Sequence, residues 1–163
     1  MPQPRTDYRR PELDLAFAGS PPTPQLTVGP GDPTPVADGG PSRWAGQLPL
    51  RLCLINRGYA DAPNVLIACF VDRPFHLEPE PAKRGRVRLT ELARTPFGQL
   101  AHFAAPILAP GEPEPLPPLK LFVPVAAFRA PFDWPFDYAV MSDVHPRREG
   151  TLILSLRPEP AVY

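Results

Sequence analysis

Three histidines are the side chains of this sequence best suited to metal binding or acid–base catalysis, and they stand far apart, at His76, His102 and His145. A metal site needs several ligands brought together at strand or helix spacing. Only the segment 142–145, Ser-Asp-Val-His, places two candidate ligands close together. Aspartate and histidine between two expected strands are typical of a solvated turn. We therefore expect no metal site.

Nucleophilic catalysis has no better basis in the sequence. There is no Gly-x-Ser-x-Gly motif, and Gly39-Gly40 precedes no expected helix, so no phosphate-binding loop is predicted. Cys69 falls at an inward strand position, where a cysteine is usually inert. The carboxylates at residues 78–80 and 112–114 alternate with proline, which suits exposed extended segments better than a paired acid and base. The sequence predicts a protein that is not an enzyme and has no cofactor.

The one pronounced charge cluster is basic and includes Arg84, Arg86 and Arg88. In a strand, Arg86 and Arg88 would share the face opposite Val87. Such a strip could contact an acidic protein partner or nucleic acid, or it could keep a sheet edge from pairing with other chains. The 17 basic residues of the chain balance its 17 acidic ones, so net charge gives no case for nucleic acid as a partner.

Aromatic residues are concentrated between positions 128 and 138. Prolines on both sides of Trp134 place Phe132 and Trp134 on a loop that enters the penultimate strand. Aromatic rings held in this way can anchor a protein partner or stack on a sugar, and they can equally cap one end of the core. The later members Phe136 and Tyr138 alternate as core residues do.

The elements that position these side chains are expected to be strands. Proline makes up 28 of the 163 residues and leaves almost no window long enough for a stable helix. Apolar residues at every second position in segments 48–56 and 63–72 flank the corner Asn56-Arg57-Gly58, as in two strands joined by a tight connection. Further strands are expected at residues 12–18 with a short continuation at 25–28, and at 86–92, 100–108, 119–125, 136–142 and 151–156. Seven or eight strands so spaced predict an all-β, two-sheet antiparallel sandwich.

The predicted organisation is a single domain over residues 12–157. It is preceded by a flexible, basic and proline-rich N-terminal arm at residues 1–11 and followed by a tail at 158–163. A loop at 29–43 and an enlarged middle crossing at 73–109 interrupt the strands. No membrane span and no secretion signal are visible, which favours a cytoplasmic location.

The two cysteines provide a test of the strand phase. Cys53 is out of phase with Leu52 and Leu54, whereas Cys69 is in phase with Ile67. One side chain should therefore face out and the other in. A disulfide needs converging Cβ vectors, so we expect two free thiols, in keeping with a reducing compartment.

Residues 50–71, LRLCLINRGYADAPNVLIACFV, resemble the second and third strands of bacterial immunoglobulin-like domains of the fibronectin-III and CARDB kind. The Pro-Gly-Glu turn within 108–112, followed by a strand from Leu119, is similar to another element of these domains, and the last two strands agree as well. The resemblance implies an immunoglobulin-like sandwich. Domains of this kind serve as partner-recognition units inside bacteria, or as adhesion and carbohydrate modules on the cell surface.

The expected function is that of a non-catalytic protein-interaction or scaffolding module. It would bind a protein partner or companion domain through its loops, the basic edge at Arg84, Arg86 and Arg88, and the aromatic pair Phe132 and Trp134. Two alternatives remain open. One is a structural subunit of a larger assembly, such as a secretion or phage-like particle. The other is a carbohydrate or adhesion module.

Overall fold

The computed structural model describes residues 11–35, 43–81 and 85–158, and these form twelve strands and one 3-10 turn. The strands are β1 (Leu13–Phe17), β2 (Gln25–Val28), β3 (Trp44–Leu50), β4 (Leu52–Asn56), β5 (Ala62–Asp72), β6 (His76–Pro79), β7 (Arg88–Thr95), β8 (Gly98–Leu108), β9 (Glu114–Pro115), β10 (Leu119–Pro124), β11 (Phe132–Ser142) and β12 (His145–Leu156). The 3-10 turn is Val125–Phe128. Within the described ranges no helix has the length and apolar character needed to span a membrane. The prediction of an all-β chain is confirmed for the part that is described.

Six strands form the larger sheet, in the order β2, β12, β11, β5, β8, β7. β2 runs parallel to β12, and the other neighbours are antiparallel. The β5–β8 ladder has ten paired residues, from Ala62 opposite Leu108 to Asp72 opposite Gly98, and the β11–β12 ladder has ten as well. Buried side chains alternate along β5 with side chains on the outer face, which is the period of two that a strand imposes.

The second layer consists of two short sheets, β1–β4–β9 and β3–β10–β6, that continue one another. Pro115 lies opposite Cys53 and Leu119 opposite Leu50, so β9 and β10 follow β4 and β3 in nearly one register. Between these pairs the Leu116 N–H donates to the Leu52 carbonyl oxygen at 2.9 Å. The layer therefore has four rows, which are β1, β3–β4, β9–β10 and β6.

One hydrophobic core lies between the two layers. The alternating leucines at positions 48, 50, 52 and 54 all belong to it, as the sequence pattern predicts. Tyr138 on β11 is also buried, and its hydroxyl donates a hydrogen bond to Asp14 Oδ1 on β1 at 3.1 Å. Gly150 lies opposite Tyr138, and a Cβ at this position would collide with the tyrosine hydroxyl. The absence of a side chain at Gly150 thus gives Tyr138 room to link the layers.

The cysteines lie on opposite sides, as the strand phase predicts. Cys69 belongs to the main core, whereas Cys53 packs with Ala16 and Ile55 in a separate small cluster. Both thiols are free. The expectation that one cysteine faces outward is right about direction but not about exposure, because Cys53 is itself buried.

The prediction that Phe132 and Trp134 lie on a loop is wrong, because β11 begins at Phe132. Pro135 is tolerated inside this strand because β5 pairs with β11 only between Tyr138 and Met141. At position 135, β11 therefore has β12 as its neighbour on one side only. The loop expected at residues 143–150 is also shorter than predicted, since β12 begins at His145.

The middle crossing at residues 73–109 contains three strands. β6 joins the edge of the smaller layer, and the chain then returns to the larger layer as the β7–β8 hairpin. The strand predicted at 86–92 lies further along the chain, as β7. Most of the predicted leader (1–10), part of the 29–43 loop (36–42) and most of the tail (159–163) lie outside the described residues, as does Arg84.

Candidate functional site

The predicted basic strip lies at the free edge of the larger sheet. β7 pairs with β8 alone, and Arg88 is an exposed residue of this strand. Arg86 precedes the strand and is also exposed, while Val87 between them is buried, so the two arginines face away from the core as expected. Charge at a sheet edge also opposes pairing with other chains, so this location is compatible with both readings of the strip.

A bulge divides β7 into two halves that face differently. The register shifts between Leu89 and Glu91, so Arg88 lies opposite Ala104 on the outer face while Arg94 lies opposite Gln99, a buried residue. Thr90 is the extra residue, and its hydroxyl donates to the His102 carbonyl oxygen at 3.1 Å. One inserted residue reverses the side of every residue beyond it. Arg88 and Arg94 therefore serve opposite faces of one strand.

The aromatic pair lies at the start of β11, and its two members have different environments. Trp134 packs against the core, with its ring 5.0 Å from that of Phe75 in an edge-on arrangement. Phe132 lies 4.9 Å from Trp134 between ring centroids and is 53% exposed. Trp134 thus caps one end of the core and supports Phe132, which carries the exposed apolar surface of the pair.

The two predicted parts of the binding site do not meet. Phe132 pairs with Leu156 at one end of β11, whereas Arg88 stands at the far edge of the sheet, in a row that runs through Ala104 and Leu66 to Met141 at the other end of β11. The basic edge and the aromatic pair are therefore separate surfaces.

Arg88 instead borders a surface that the sequence reasoning missed, namely the outer face of β7, β8, β5, β11 and β12. Its central outward positions are largely apolar, and Leu66 among them is 53% exposed. Two open cavities of about 520 and 350 Å³ lie along this outer face. The half-buried outward side chains in its centre are Ala68, Phe70, Leu100, His102, Ala104, Ala139 and Met141.

A local signal for this face is present in the sequence. A strand whose outer side meets water normally carries polar residues at every second position. In β5 the outward positions hold Leu66, Ala68 and Phe70, so the segment is apolar on both sides. Only Asn64 and Asp72, near its two ends, follow the expected alternation.

The residues considered for catalysis do not come together. Asp143 accepts a hydrogen bond from the Asn64 side chain, whereas the His145 ring accepts one from the Leu13 N–H at 3.5 Å through Nε2. The part of the chain that the structure describes contains no group of three or more histidine, cysteine, aspartate or glutamate side chains placed to hold a metal ion. Burial, with a smaller contribution from Asp137, raises the pKa of Cys69 to about 12, so its thiol stays protonated at neutral pH.

Comparison with known proteins adds little to this geometry. No protein-family model matches the chain, and no curated protein sequence matches it. Among solved structures, the chain is matched to AvmM, described as catalysing macrocyclization in alchivemycin A biosynthesis, with 10% sequence identity over 93% of this chain and 91% of that one. The TM-score is 0.34, a level at which the likeness carries no conclusion about this chain.

Proposed function

We propose that this chain is an immunoglobulin-like domain that acts as a non-catalytic protein-interaction module. The fold part of the proposal rests on strand order. An immunoglobulin domain of the constant type places strands A, B, E and D in one sheet and C, F and G in the other. Here β1, β3–β4, β9–β10 and β6 follow the first pattern, and β5, β11 and β12 follow the second. The β7–β8 hairpin is an addition beside β5.

The outer face of the larger sheet is the surface that supports the interaction best. Where all five strands from β7 to β12 overlap it is about 19 Å wide at the usual strand spacing, but β5 and β11 are paired over only four residues, about 13 Å. The β7–β8–β5 and β11–β12 parts extend the face on either side of this overlap, and the whole is smaller than the roughly 800 Å² that one protein contributes to an ordinary interface. Exposed Leu66 supplies apolar contact area on a face whose centre is otherwise half-buried.

Charge at the edge of this face selects the kind of partner. Arg86 and Arg88 are both exposed, and none of the carboxylates in the described part of the chain pairs with either. Arg147, by contrast, is paired with Glu149 at 3.2 Å. The partner is a protein with an apolar patch and with carboxylates on the side that meets β7, since opposite charges at a rim steer association.

The test begins with a photo-crosslinking amino acid at Leu66 and, as a control, at Val144. The two side chains are almost equally exposed, at 53% and 54%, but Val144 lies in the turn after β11 rather than on the outer face. A protein that crosslinks from position 66 but not from position 144 is identified and purified. Its affinity is then measured for the wild type and for the variants. We expect Leu66→Arg to weaken binding at least about 10-fold and Val144→Arg to change it less than about 2-fold.

The role of the arginine charges is tested with two matched double variants. Arg86→Glu with Arg88→Glu should slow association, whereas Arg51→Glu with Arg129→Glu makes the same change of net charge at exposed positions elsewhere and should not. A crosslinked product of two copies of this chain, a glycan as the captured species, or binding that is indifferent to Leu66→Arg would each refute the proposal. The assembly-subunit and carbohydrate alternatives predict the first two of these outcomes.

A further inference from the structure

A third cavity, of about 390 Å³, lies where strand β6 of the smaller layer meets the β7–β8 hairpin of the larger one. The buried side chain of Gln99 is among its lining residues and joins the layers. Its Oε1 accepts a hydrogen bond from the Leu77 N–H at 2.6 Å, and its Nε2 donates to the Leu77 carbonyl oxygen at 3.0 Å. The Gln99 amide thus bonds to both the N–H and the carbonyl group of Leu77, as the backbone of a neighbouring strand would.

Three arginines line this cavity, which we call the arginine pocket: Arg43, Arg73 and Arg94. No aspartate or glutamate is among its lining residues, and none of the carboxylates that the structure describes forms an ion pair with any of the three. Three guanidinium groups around one cavity repel one another, so an anion bound between them would be favoured.

The arginines come from three separate segments that only the topology brings together. Arg43 directly precedes β3, Arg73 directly follows β5, and Arg94 lies near the end of β7. Arg94 faces this way because of the bulge earlier in its strand. Gly98, at the start of β8, lies so close to β5 that a Cβ there would collide with the Val71 carbonyl oxygen.

Local contacts orient two of the three arginines. The Arg43 guanidinium lies over the Trp44 ring, 4.6 Å from its centroid, and Arg73 Nη1 donates to the Pro96 carbonyl oxygen at 3.4 Å. Trp44 in turn stacks on His76, with 6.1 Å between ring centroids. The arginine pocket thus combines planar donors, which suit oxygen pairs on one anion, with a neighbouring aromatic wall.

We propose that the arginine pocket binds the phosphoryl group of a small phosphorylated molecule. Guanidinium forks match phosphate oxygens in pairs, and three of them balance a doubly charged ester better than a single carboxylate. The volume falls within the range of small-ligand pockets, about 300–1,000 Å³, so there is room for an organic group beside the phosphate. This site is independent of the outer sheet face in the proposed function.

The test uses four probes: inorganic phosphate, pyrophosphate, adenosine monophosphate and, as a polycarboxylate control, citrate. Binding is measured by calorimetry at low salt and by fluorescence of Trp44. Since the chain has two tryptophans, Trp134→Phe leaves Trp44 as the single reporter. Adenosine monophosphate should bind more tightly than phosphate and should change Trp44 emission, and citrate should bind more weakly than pyrophosphate.

Arg94→Gln and Arg88→Gln form the matched pair of variants, because both arginines are exposed on the same strand and only Arg94 lines the pocket. Loss of a charge-assisted hydrogen bond should weaken pyrophosphate binding about 10-fold in Arg94→Gln and less than about 2-fold in Arg88→Gln. Equal weakening in both would reveal diffuse attraction and overturn the proposal. So would the absence of pyrophosphate binding, citrate binding as tight as pyrophosphate, or equal affinity for phosphate and the nucleotide, which would indicate an adventitious ion only.

Discussion

Asn56 is the buried polar residue whose replacement tests the fold most directly. It is 2% exposed and makes four hydrogen bonds. Its Nδ2 donates to the carbonyl oxygens of Ala60 at 2.8 Å and Leu108 at 3.1 Å. Its Oδ1 accepts from the N–H groups of Glu12 at 3.1 Å and Gly58 at 3.0 Å. A single amide therefore ties together the approach to β1, the β4–β5 turn and the end of β8.

Asn56→Ala removes all four bonds and deprives four backbone groups of this partner. At about 1 kcal/mol net per hydrogen bond, the loss approaches about 4 kcal/mol, and water entering the vacated space would restore a part of it. We expect a decrease of about 2–4 kcal/mol in the free energy of unfolding. For a domain of this length, that corresponds to a fall in melting temperature of roughly 5–15 °C.

Asn56→Asp keeps the shape but turns a carboxylate oxygen toward the carbonyl oxygens of Ala60 and Leu108. This environment raises the pKa of the introduced carboxyl above its ordinary value of about 3.9, because only the protonated form can donate. A raised pKa in the folded state gives stability that is present below the unfolded value and is lost as pH rises through the folded one. The penalty of Asn56→Asp should therefore be smallest near pH 4 and grow toward pH 7.

The assay is urea unfolding, followed by circular dichroism, at pH 4, 5.5 and 7 for the wild type and both variants. Gln25→Ala serves as a control, since it removes the bond from an exposed amide to Ser155 and should cost less than about 1 kcal/mol. A loss below about 1 kcal/mol for Asn56→Ala, or a penalty for Asn56→Asp that does not change with pH, would refute the reasoning.

Three further predictions concern the bridge between the layers, the contact between Gly150 and Tyr138, and the buried thiol of Cys69. Gln99→Leu removes both bonds to the Leu77 backbone and should lower the free energy of urea unfolding by about 2–3 kcal/mol; an unchanged value would contradict the bridge between layers. Gly150→Ala should cost about 1–3 kcal/mol through collision with the Tyr138 hydroxyl, and a double-mutant cycle with Tyr138→Phe should recover part of this cost, whereas strict additivity would argue against the contact. Burial raises the pKa of the Cys69 thiol from 9.0 to about 12. The stability that depends on the protonated thiol is therefore complete below pH 9 and is lost as pH rises toward 12. Between neutral pH and pH 10, the free energy of unfolding should fall by about 1.4 kcal/mol more in the wild type than in Cys69→Ala. An equal pH dependence of the two proteins would show that the thiol does not contribute.

The sequence was most informative where one strand carries its own pattern. Alternation in segments 48–56 and 63–72 places the leucines on one side and separates Cys53 from Cys69 without knowledge of the rest of the chain. It failed at β6, because a four-residue strand that ends at Pro79 looks like a link. It also failed at the start of β11, where Pro135 is tolerated only because a neighbouring strand is missing there. Both outcomes depend on which strands become neighbours.

The candidate sites were less predictable for the same reason. Arg86 and Arg88 could be placed on one face from local phase, but the apolar surface beside them consists of outward positions from several strands. The arginine pocket depends still more on topology, because Arg43 and Arg94 come from different layers and are 51 positions apart in the sequence. The spacing of residues that are close in sequence therefore cannot predict that these arginines line one cavity.

The bulge at Thr90 connects the two proposed sites, because it sends Arg88 to one face of β7 and Arg94 to the other. Deleting Thr90 should restore a regular strand. The Thr95 hydroxyl accepts hydrogen bonds from the Phe97 and Gly98 N–H groups and so fixes the turn after it.

The deletion leaves the ladder partners in place, since Leu89 still lies opposite Phe103 and Glu91 opposite His102. Arg88 and Arg94 are then five positions apart, and an odd separation places two residues on opposite faces of a regular strand. Partner binding and pyrophosphate affinity should therefore both stay within about 2-fold of the wild type in the folded deletion variant. Loss of either one would show that the bulge itself, and not the face on which each arginine lies, is needed at that site.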